Sequence, residues 1–291
     1  MIAIEGSLVQ HLQSEGVSEV MVTAGGTVWV ETPTGIRQVG RITEVDLADT
    51  IERITRAAGR RVDLLSPVVD AALPDGSRAC VVLPPVAVGG PVISIRRFAT
   101  QPFPLSSFAD EATVRVLRDA VRQRRNIVVS GATSSGKTSL LASLCRAVPA
   151  RERLVVVEDT AELALDNPHV VRLQTRPPTA EGTGRVTQQD LVRTAMRLRP
   201  DRLVVGEVRG GEAIDMMLAL TSGHEGSLTT VHARSAGHAL QRLVSLALRD
   251  NPQFGGDELR ELVHSAIDTV VHVERGPHGR RRVAQVVDTR A

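Results

Sequence analysis

Apolar residues recur along this chain with two different rhythms, and the change falls near residue 100. Before it the runs are short and broken. Residues 8–12 read as a short helix, and 19–23 and 28–31 as two strands turning at Gly25-Gly26. Residues 46–58 carry Leu47, Ile51, Ile54 and Ala57 at helical spacing. Residues 68–72, 78–83 and 92–96 are strand-like, the first two joined by a turn at Pro74-Asp75-Gly76. Helices against antiparallel strands predict a small α/β domain over residues 1–98. Gln101, Pro102 and Pro104 mark residues 99–106 as a linker.

From residue 107 to 291 helical stretches alternate with unbroken apolar runs. That is the pattern of a mainly parallel sheet covered on both faces. Helices are expected over 108–122, 139–145, 187–198, 212–220, 236–248 and 257–267. Strands are expected over 127–129, 154–157, 169–173, 203–205, 227–231, 269–274 and 281–288. Thr187, with Asp190 three residues on, reads as a capping box.

The run ending at Val129 leads into Gly131-Ala132-Thr133-Ser134-Ser135-Gly136-Lys137-Thr138-Ser139, a complete G-x-x-x-x-G-K-[ST] loop between a strand and a helix. Glycines let the backbone wrap so that N–H groups and the helix N-terminus face phosphate oxygens. Lys137 adds a point charge, and the Thr138 hydroxyl suits Mg²⁺. Lys137 is also the one lysine among 35 basic residues. Arginine's planar fork does not replace a compact ammonium inside a phosphate nest. The alternative, a flexible glycine turn beside a surface lysine, accounts for neither the strand nor the helix. The loop predicts a nucleoside triphosphate site taking ATP and Mg²⁺.

Composition narrows the class. Hydrophobics at 42% and charged residues at 23% are those of a globular protein with ample core. A net charge of +2, no Tyr and one Trp argue against direct nucleic-acid binding. Cys80 and Cys145 lie far apart in apolar contexts, which points to a reducing compartment and excludes a four-cysteine zinc module. No apolar run approaches about 18 residues, and no basic-then-apolar leader opens the chain. The expectation is a cytoplasmic protein whose membrane contact is peripheral.

Hydrolysis needs more than a phosphate loop: a held Mg²⁺, a positioned water and charge on the γ-phosphate. In open α/β sheets such groups stand at strand carboxyl ends. Two apolar strands end in acids there, Val157-Glu158-Asp159 and Val205-Gly206-Glu207. Glu207 is expected to hold the Mg²⁺ shell and Glu158 to orient or deprotonate water. The second strand has Gly206 where a Walker B Asp is usual. Acids at strand ends also serve as caps and turns, but two of them downstream of this loop favour chemistry. His224, in a glycine loop, and His232, just past a strand, are candidates for sensing the γ-phosphate or reaching a neighbouring subunit. Structural hydrogen bonding is the alternative for each, and ligands for zinc are too few.

The segments GATSSGKT, VVVEDTAEL, RLVVGEVRGGEA and GHEGSLTTVHARS, in this order, resemble the phosphate loop, Asp box, Walker B and His box of the type II/type IV secretion and pilus ATPases. DGSRACVVLPPVAVGGPVISIRRF resembles that family's N-terminal domain. Local segments such as GGEAIDMMLALTSGHEGSLTTVHA are most similar to the CpaF-type ATPases of Tad (Flp) pilus assembly, with conjugative type IV secretion ATPases second. The chain lacks the tetracysteine insert of the type II branch. The resemblance implies a RecA-like phosphate-loop domain behind the small α/β domain. It also implies ATP between the two domains, and a homo-hexamer on the cytoplasmic face driving inner-membrane platform proteins. It further implies arginines from the N-terminal domain on the γ-phosphate, matching Arg78 and either Arg96 or Arg97 here. Exposed strand arginines are the alternative for these three. Arg209 is expected to hold structure instead.

Overall fold

The computed structural model describes residues 7–32, 34–59, 61–73, 75–98, 102–178, 182–276 and 279–290. Two compact units divide the chain, Met1–Phe98 and Ala99–Ala291. Pro74 of the expected turn and residues 99–101 of the expected linker lie outside the described residues.

In the first unit, helix α1 (Ser7–Gln13) and helix α2 (Glu44–Ala57) join a six-stranded antiparallel sheet. Its strands are β1 (Glu19–Val22), β2 (Thr27–Thr32), β3 (Gly35–Arg41), β4 (Val68–Ala72), β5 (Arg78–Val82) and β6 (Val92–Arg96), in the order β3-β2-β1-β6-β5-β4. Strict alternation puts Val20, Val22, Val28, Val30, Ala79, Val81, Ile93 and Ile95 into a core shared with Leu8, Leu12, Leu47, Ile51 and Ile54. The helix α2 start is set by Thr43, whose hydroxyl accepts from the Asp46 N–H.

The second unit carries a seven-stranded sheet, β13-β12-β7-β11-β10-β8-β9. Its strands are β7 (Ile127–Gly131), β8 (Leu154–Glu158), β9 (Val170–Gln174), β10 (Arg202–Val205), β11 (Leu228–His232), β12 (Thr269–Arg275) and β13 (Arg281–Asp288). Every pairing is parallel except β12 with β13. Its helices are α3 (Glu111–Arg122), α4 (Lys137–Cys145), α5 (Gln188–Met196), α6 (Glu212–Thr221), α7 (Ala236–Asp250) and α8 (Gly256–Ala266).

Both faces of this sheet are buried. Val128, Val155, Val157, Leu203, Val205 and Val231 point to the α5–α8 side, while Ile127, Val129, Leu154, Val156, Val204 and Leu228 point to α3 and α4. Each fully buried Val or Leu contributes roughly 1.5–3 kcal/mol through surface removed from water. Such strands cannot alternate with polar residues, which is why they read as unbroken apolar runs. Because β7, β8, β10 and β11 run parallel, their carboxyl ends meet along one edge, and the site lies there.

Candidate active site

Strand β7 runs fully buried into the phosphate loop. A methyl on Gly131 would stand 2.5 Å from Ser135 Oγ and press on the Val273 carbonyl, so glycine is required where the loop folds back on its strand. Ser134 (φ 58) and Gly136 (φ 101) adopt left-handed backbone. That conformation turns successive N–H groups towards one concavity. Helix α4 begins at Lys137 rather than at the expected residue 139, so Lys137, Thr138 and Ser139 form its first turn. Helix geometry leaves the N–H groups of that turn without an intrahelical acceptor, and the helix dipole adds positive potential. The Ser135 hydroxyl is buried without a hydrogen-bond partner. These are the features of a cradle made for phosphate oxygens.

Above the loop, side chains from the start of α4 and from the carboxyl ends of β8, β10 and β11 converge. Lys137 Nζ donates to the Ala132 carbonyl at 2.8 Å and lies 3.3 Å from His232 Nδ1. His232 Nε2 lies 2.8 Å from Glu207 Oε1. That contact is not aligned as a hydrogen bond, and Oε1 is left buried without an aligned donor. Arg209 donates to Glu207 Oε2 at 2.7 Å and to Asp159 at 3.3 Å. Gln188 Nε2 donates to the Glu207 carbonyl at 2.7 Å, tying the end of β10 to helix α5. Burial, then the positive charge of Lys137, pushes the His232 imidazole below its ordinary range, against the pull of Glu207. Arg209 thus has the structural part expected of it, bracing Glu207.

Thr138 and Glu207, the residues expected to hold Mg²⁺, are on this edge. Glu207 Oε1, close to His232 but without an aligned donor, suits a cation or its bound water. Among the described residues no three His, Cys, Asp or Glu side chains form a metal site, so Mg²⁺ here would draw its remaining oxygens from phosphate and water.

Glu158 is 4% exposed and already engaged. Its Oε1 accepts from the N–H groups of Glu162 and Leu163 at 2.9 and 2.8 Å, and its Oε2 accepts from Arg172 at 3.0 Å. Two carboxylate oxygens offer about four lone-pair sites, so one acceptor position remains for water. Gly206 makes room for this group. A Cβ there would lie 3.0 Å from Glu158 Cγ, so a larger residue would crowd that carboxylate.

The structure does not bring every expected residue here. His224 precedes β11 and His232 ends it, and β11 pairs parallel to β7 with Leu228 opposite Ile127 and His232 opposite Gly131. The four residue steps separate the strand's two ends by about 13 Å. His224 is therefore at the sheet edge opposite the phosphate loop, where its carbonyl accepts from Ser227, and it is not a nucleotide ligand of its own chain. In the first unit, Arg78 and Arg96 are directly paired neighbours on β5 and β6, on the face turned away from α1 and α2. Arg78 also pairs with Asp70 at 3.4 Å. Arg97 has the opposite parity and donates to the Leu12 carbonyl at the end of α1.

Four contributors had no legible signal. Arg172 clamps Glu158 from the neighbouring strand. Ser130 and His272 share a buried 2.9 Å hydrogen bond beneath the loop. Arg281 bonds Ser139 at 3.2 Å. Each depends on tertiary adjacency, between strands for Arg172, Ser130 and His272 and between β13 and α4 for Arg281, which sequence order does not encode.

Comparison with known proteins decides the family. Residues 3–289 match the model of the type II/IV secretion system protein family. The chain belongs to that family. A protein of Mycobacterium tuberculosis named for conjugal transfer is 41% identical over 298 residues, which span 97% of this chain and 83% of that one. The solved VirB11 ATPase of the Brucella suis type IV secretion system, in complex with sulphate, is 29% identical with a TM-score of 0.55, covering 97% of this chain and 92% of that one. The Legionella pneumophila ATPase DotB shares the fold at a TM-score of 0.70 and 21% identity, covering 97% and 79%. The expected architecture holds: a small α/β domain and a RecA-like phosphate-loop domain with a mainly parallel sheet. Type II/IV secretion ATPases are the chain's kin, and among its described residues no helix is long and apolar enough to cross a membrane.

Proposed function

We propose that this chain is a Mg²⁺-dependent ATPase that powers a secretion machine, working as a homo-hexamer against inner-membrane platform proteins from the cytoplasmic side. The observation that carries it is the meeting of Lys137, His232 and Glu207 over the phosphate loop. Lys137 leaves the Ala132 carbonyl for the β- and γ-phosphates. Thr138 and Glu207 would hold the cation, which when bound would neutralise charge on the phosphates. Glu158 uses its remaining acceptor site to orient the attacking water, fixed in place by Arg172 and the backbone of residues 162–163. His232, between Lys137 and Glu207, registers whether the lysine is on the protein or on the nucleotide. Arg78 and either Arg96 or Arg97 supply the γ-phosphate charge. Residues 99–106 act as the linker between the N-terminal domain (1–98) and the ATPase domain (107–291).

The relatives' names, conjugal transfer and type IV secretion, favour a type IV machine as the user of this motor. Assembly of a Tad/Flp pilus is the second reading, supported by the likeness of residues 210–233 to CpaF-type ATPases. A regulator that binds ATP with little turnover is disfavoured because both Glu158 and Glu207 are in place. A pull-down from native cells with tagged Glu207→Gln, trapped with ATP, tests the assignment. Channel or coupling proteins of a type IV system are the expected company. Recovery of pilins and a pilus platform would replace it with the second reading.

A further inference from the structure

A buried serine–histidine pair lies directly beneath the phosphate loop and has no part in hydrolysis. Ser130, the last residue before Gly131, is fully buried, and its hydroxyl lies 2.9 Å from Nδ1 of buried His272. Register sets the pair: β12 runs parallel to β7 with His272 opposite Ser130. Their neighbours along and across the strands are apolar, among them Val129, Val231, Val271 and Val273. Exchanging both partners of a buried hydrogen bond for apolar groups of like shape is close to neutral. Stability therefore does not call for serine and histidine among these valines, and the bond's direction is what they add.

The surroundings settle which atom donates. Nε2 of His272 faces Glu274 Oε1 at 3.7 Å, and the other Glu274 oxygen lies 3.5 Å from Arg282. A lone pair on Nε2 would point at a carboxylate, so Nε2 carries the proton and Nδ1 accepts from the Ser130 hydroxyl. Burial lowers the His272 pKa against the pull of Glu274, and the charge of Lys137 adds to the lowering. On the α7 side of the sheet the packed face is apolar, with Ala239 and Leu243.

The pair stands where the loop is hinged. Gly131 folds the loop back against the Val273 carbonyl, and the register of β12 with β13 shifts between His272 and Val273. Such register shifts re-aim the residues beside them. The hydrogen bond ties the residue before the fold to the residue before the shift, so β12 fixes where the loop's first N–H groups point.

We propose that His272 is a positioning residue of the phosphate loop, acting through Ser130 to hold the loop's entry in the shape that receives a polyphosphate. This rests on the loop being a nucleotide site.

The test measures ATP and ADP dissociation constants, KM and kcat for the full chain, Ser130→Ala, His272→Phe, their double variant and His272→Asn, with melting temperature as the fold control. His272→Phe keeps a ring and loses the acceptor, whereas His272→Asn sets an amide oxygen where Nδ1 stands. Each of the first two should bind both nucleotides about three- to tenfold more weakly, the scale of one hydrogen bond, with KM raised and kcat at saturation unchanged. The double variant should bind no more weakly than the weaker single, because both remove the same bond. His272→Asn should recover most of the affinity. Parent affinity in Ser130→Ala and His272→Phe, even with a lower melting temperature, overturns the proposal and leaves a packing feature. Losses that multiply in the double variant overturn it too, as does a His272→Asn chain no better than His272→Phe. If His272→Phe fails to fold, Ser130→Ala with parent affinity is sufficient to overturn it. A parent chain that binds neither nucleotide overturns the nucleotide-site reading as well, whereas parent binding with indifferent variants overturns this inference alone.

Discussion

Lys137 shares a 3.3 Å contact with His232, and that neighbour reports the charge state of the site. His232 faces Lys137, Glu207, Arg209 and Arg242, and burial with the lysine's charge lowers its pKa. The folded chain therefore takes up this proton only below the ordinary imidazole range near 6.5, while the unfolded chain takes it up at that value. Across that window the unfolded state binds more protons, so stability is fully present above about pH 7 and falls as pH drops towards the folded pKa. Buried His272 acts with the same sign. Denaturation midpoints at pH 7.5 and 5.5 should show the loss, and His232→Gln should make it smaller. An unchanged pH dependence in that variant would mean that His232 is not held neutral. At this scale the sequence disclosed the loop, Glu158, Glu207 and His232 through local motifs. It did not separate His224 from His232, because two histidines flanking one strand look alike until the strand sets them at opposite edges. It did not separate Arg96 from Arg97 either, since their opposite parity and the bond from Arg97 to the Leu12 carbonyl, 85 residues away in sequence, are properties of the folded sheet.

Elements were legible where burial was one-sided or complete. The valine runs of β7, β8 and β10 and the capping box of α5 all appear where the pattern placed them. Strand β3 was not anticipated, because its residues are mostly exposed and show no apolar alternation. The expected helix at 108–122 starts instead at Glu111, after a 3₁₀ turn at Leu105–Ser107, with the Asp110 carboxylate capping it through the Thr113 N–H. Helix α4 is only nine residues long, too short to persist on propensity, and is held by burial of Leu140, Leu141 and Leu144. Leu141→Ala should therefore cost about 2–5 kcal/mol in chemical denaturation, and Leu141→Met under about 1.5 kcal/mol. Similar costs for the two would argue that the helix is not held by packing. Because this helix carries Lys137 and Thr138 on its first turn, the alanine variant should also weaken nucleotide binding.

For the whole molecule, the composition and order of motifs carried the class of machine, while the antiparallel and parallel sheets of its two units account for the change of rhythm near residue 100. Binding to the folded state alone must stabilise it by mass action. MgATP at a hundred times its dissociation constant should add about 2.7 kcal/mol, read as a raised melting temperature. The shift should vanish in Lys137→Ala, whose unliganded melting temperature should stay near that of the parent. A shift that survives in Lys137→Ala would locate nucleotide binding elsewhere in the chain.

The central claim is that one edge of the parallel sheet both binds and hydrolyses ATP, with Glu207 needed for the second act and not the first. Phosphate release and ATP binding measured on the same samples of parent and Glu207→Gln test it directly. The account predicts retained ATP binding with turnover lowered by about 10²–10³-fold, the scale of losing a group that acts on the transition state. Turnover in Glu207→Gln equal to the parent's, or a parent with no Mg²⁺-dependent phosphate release, would contradict it.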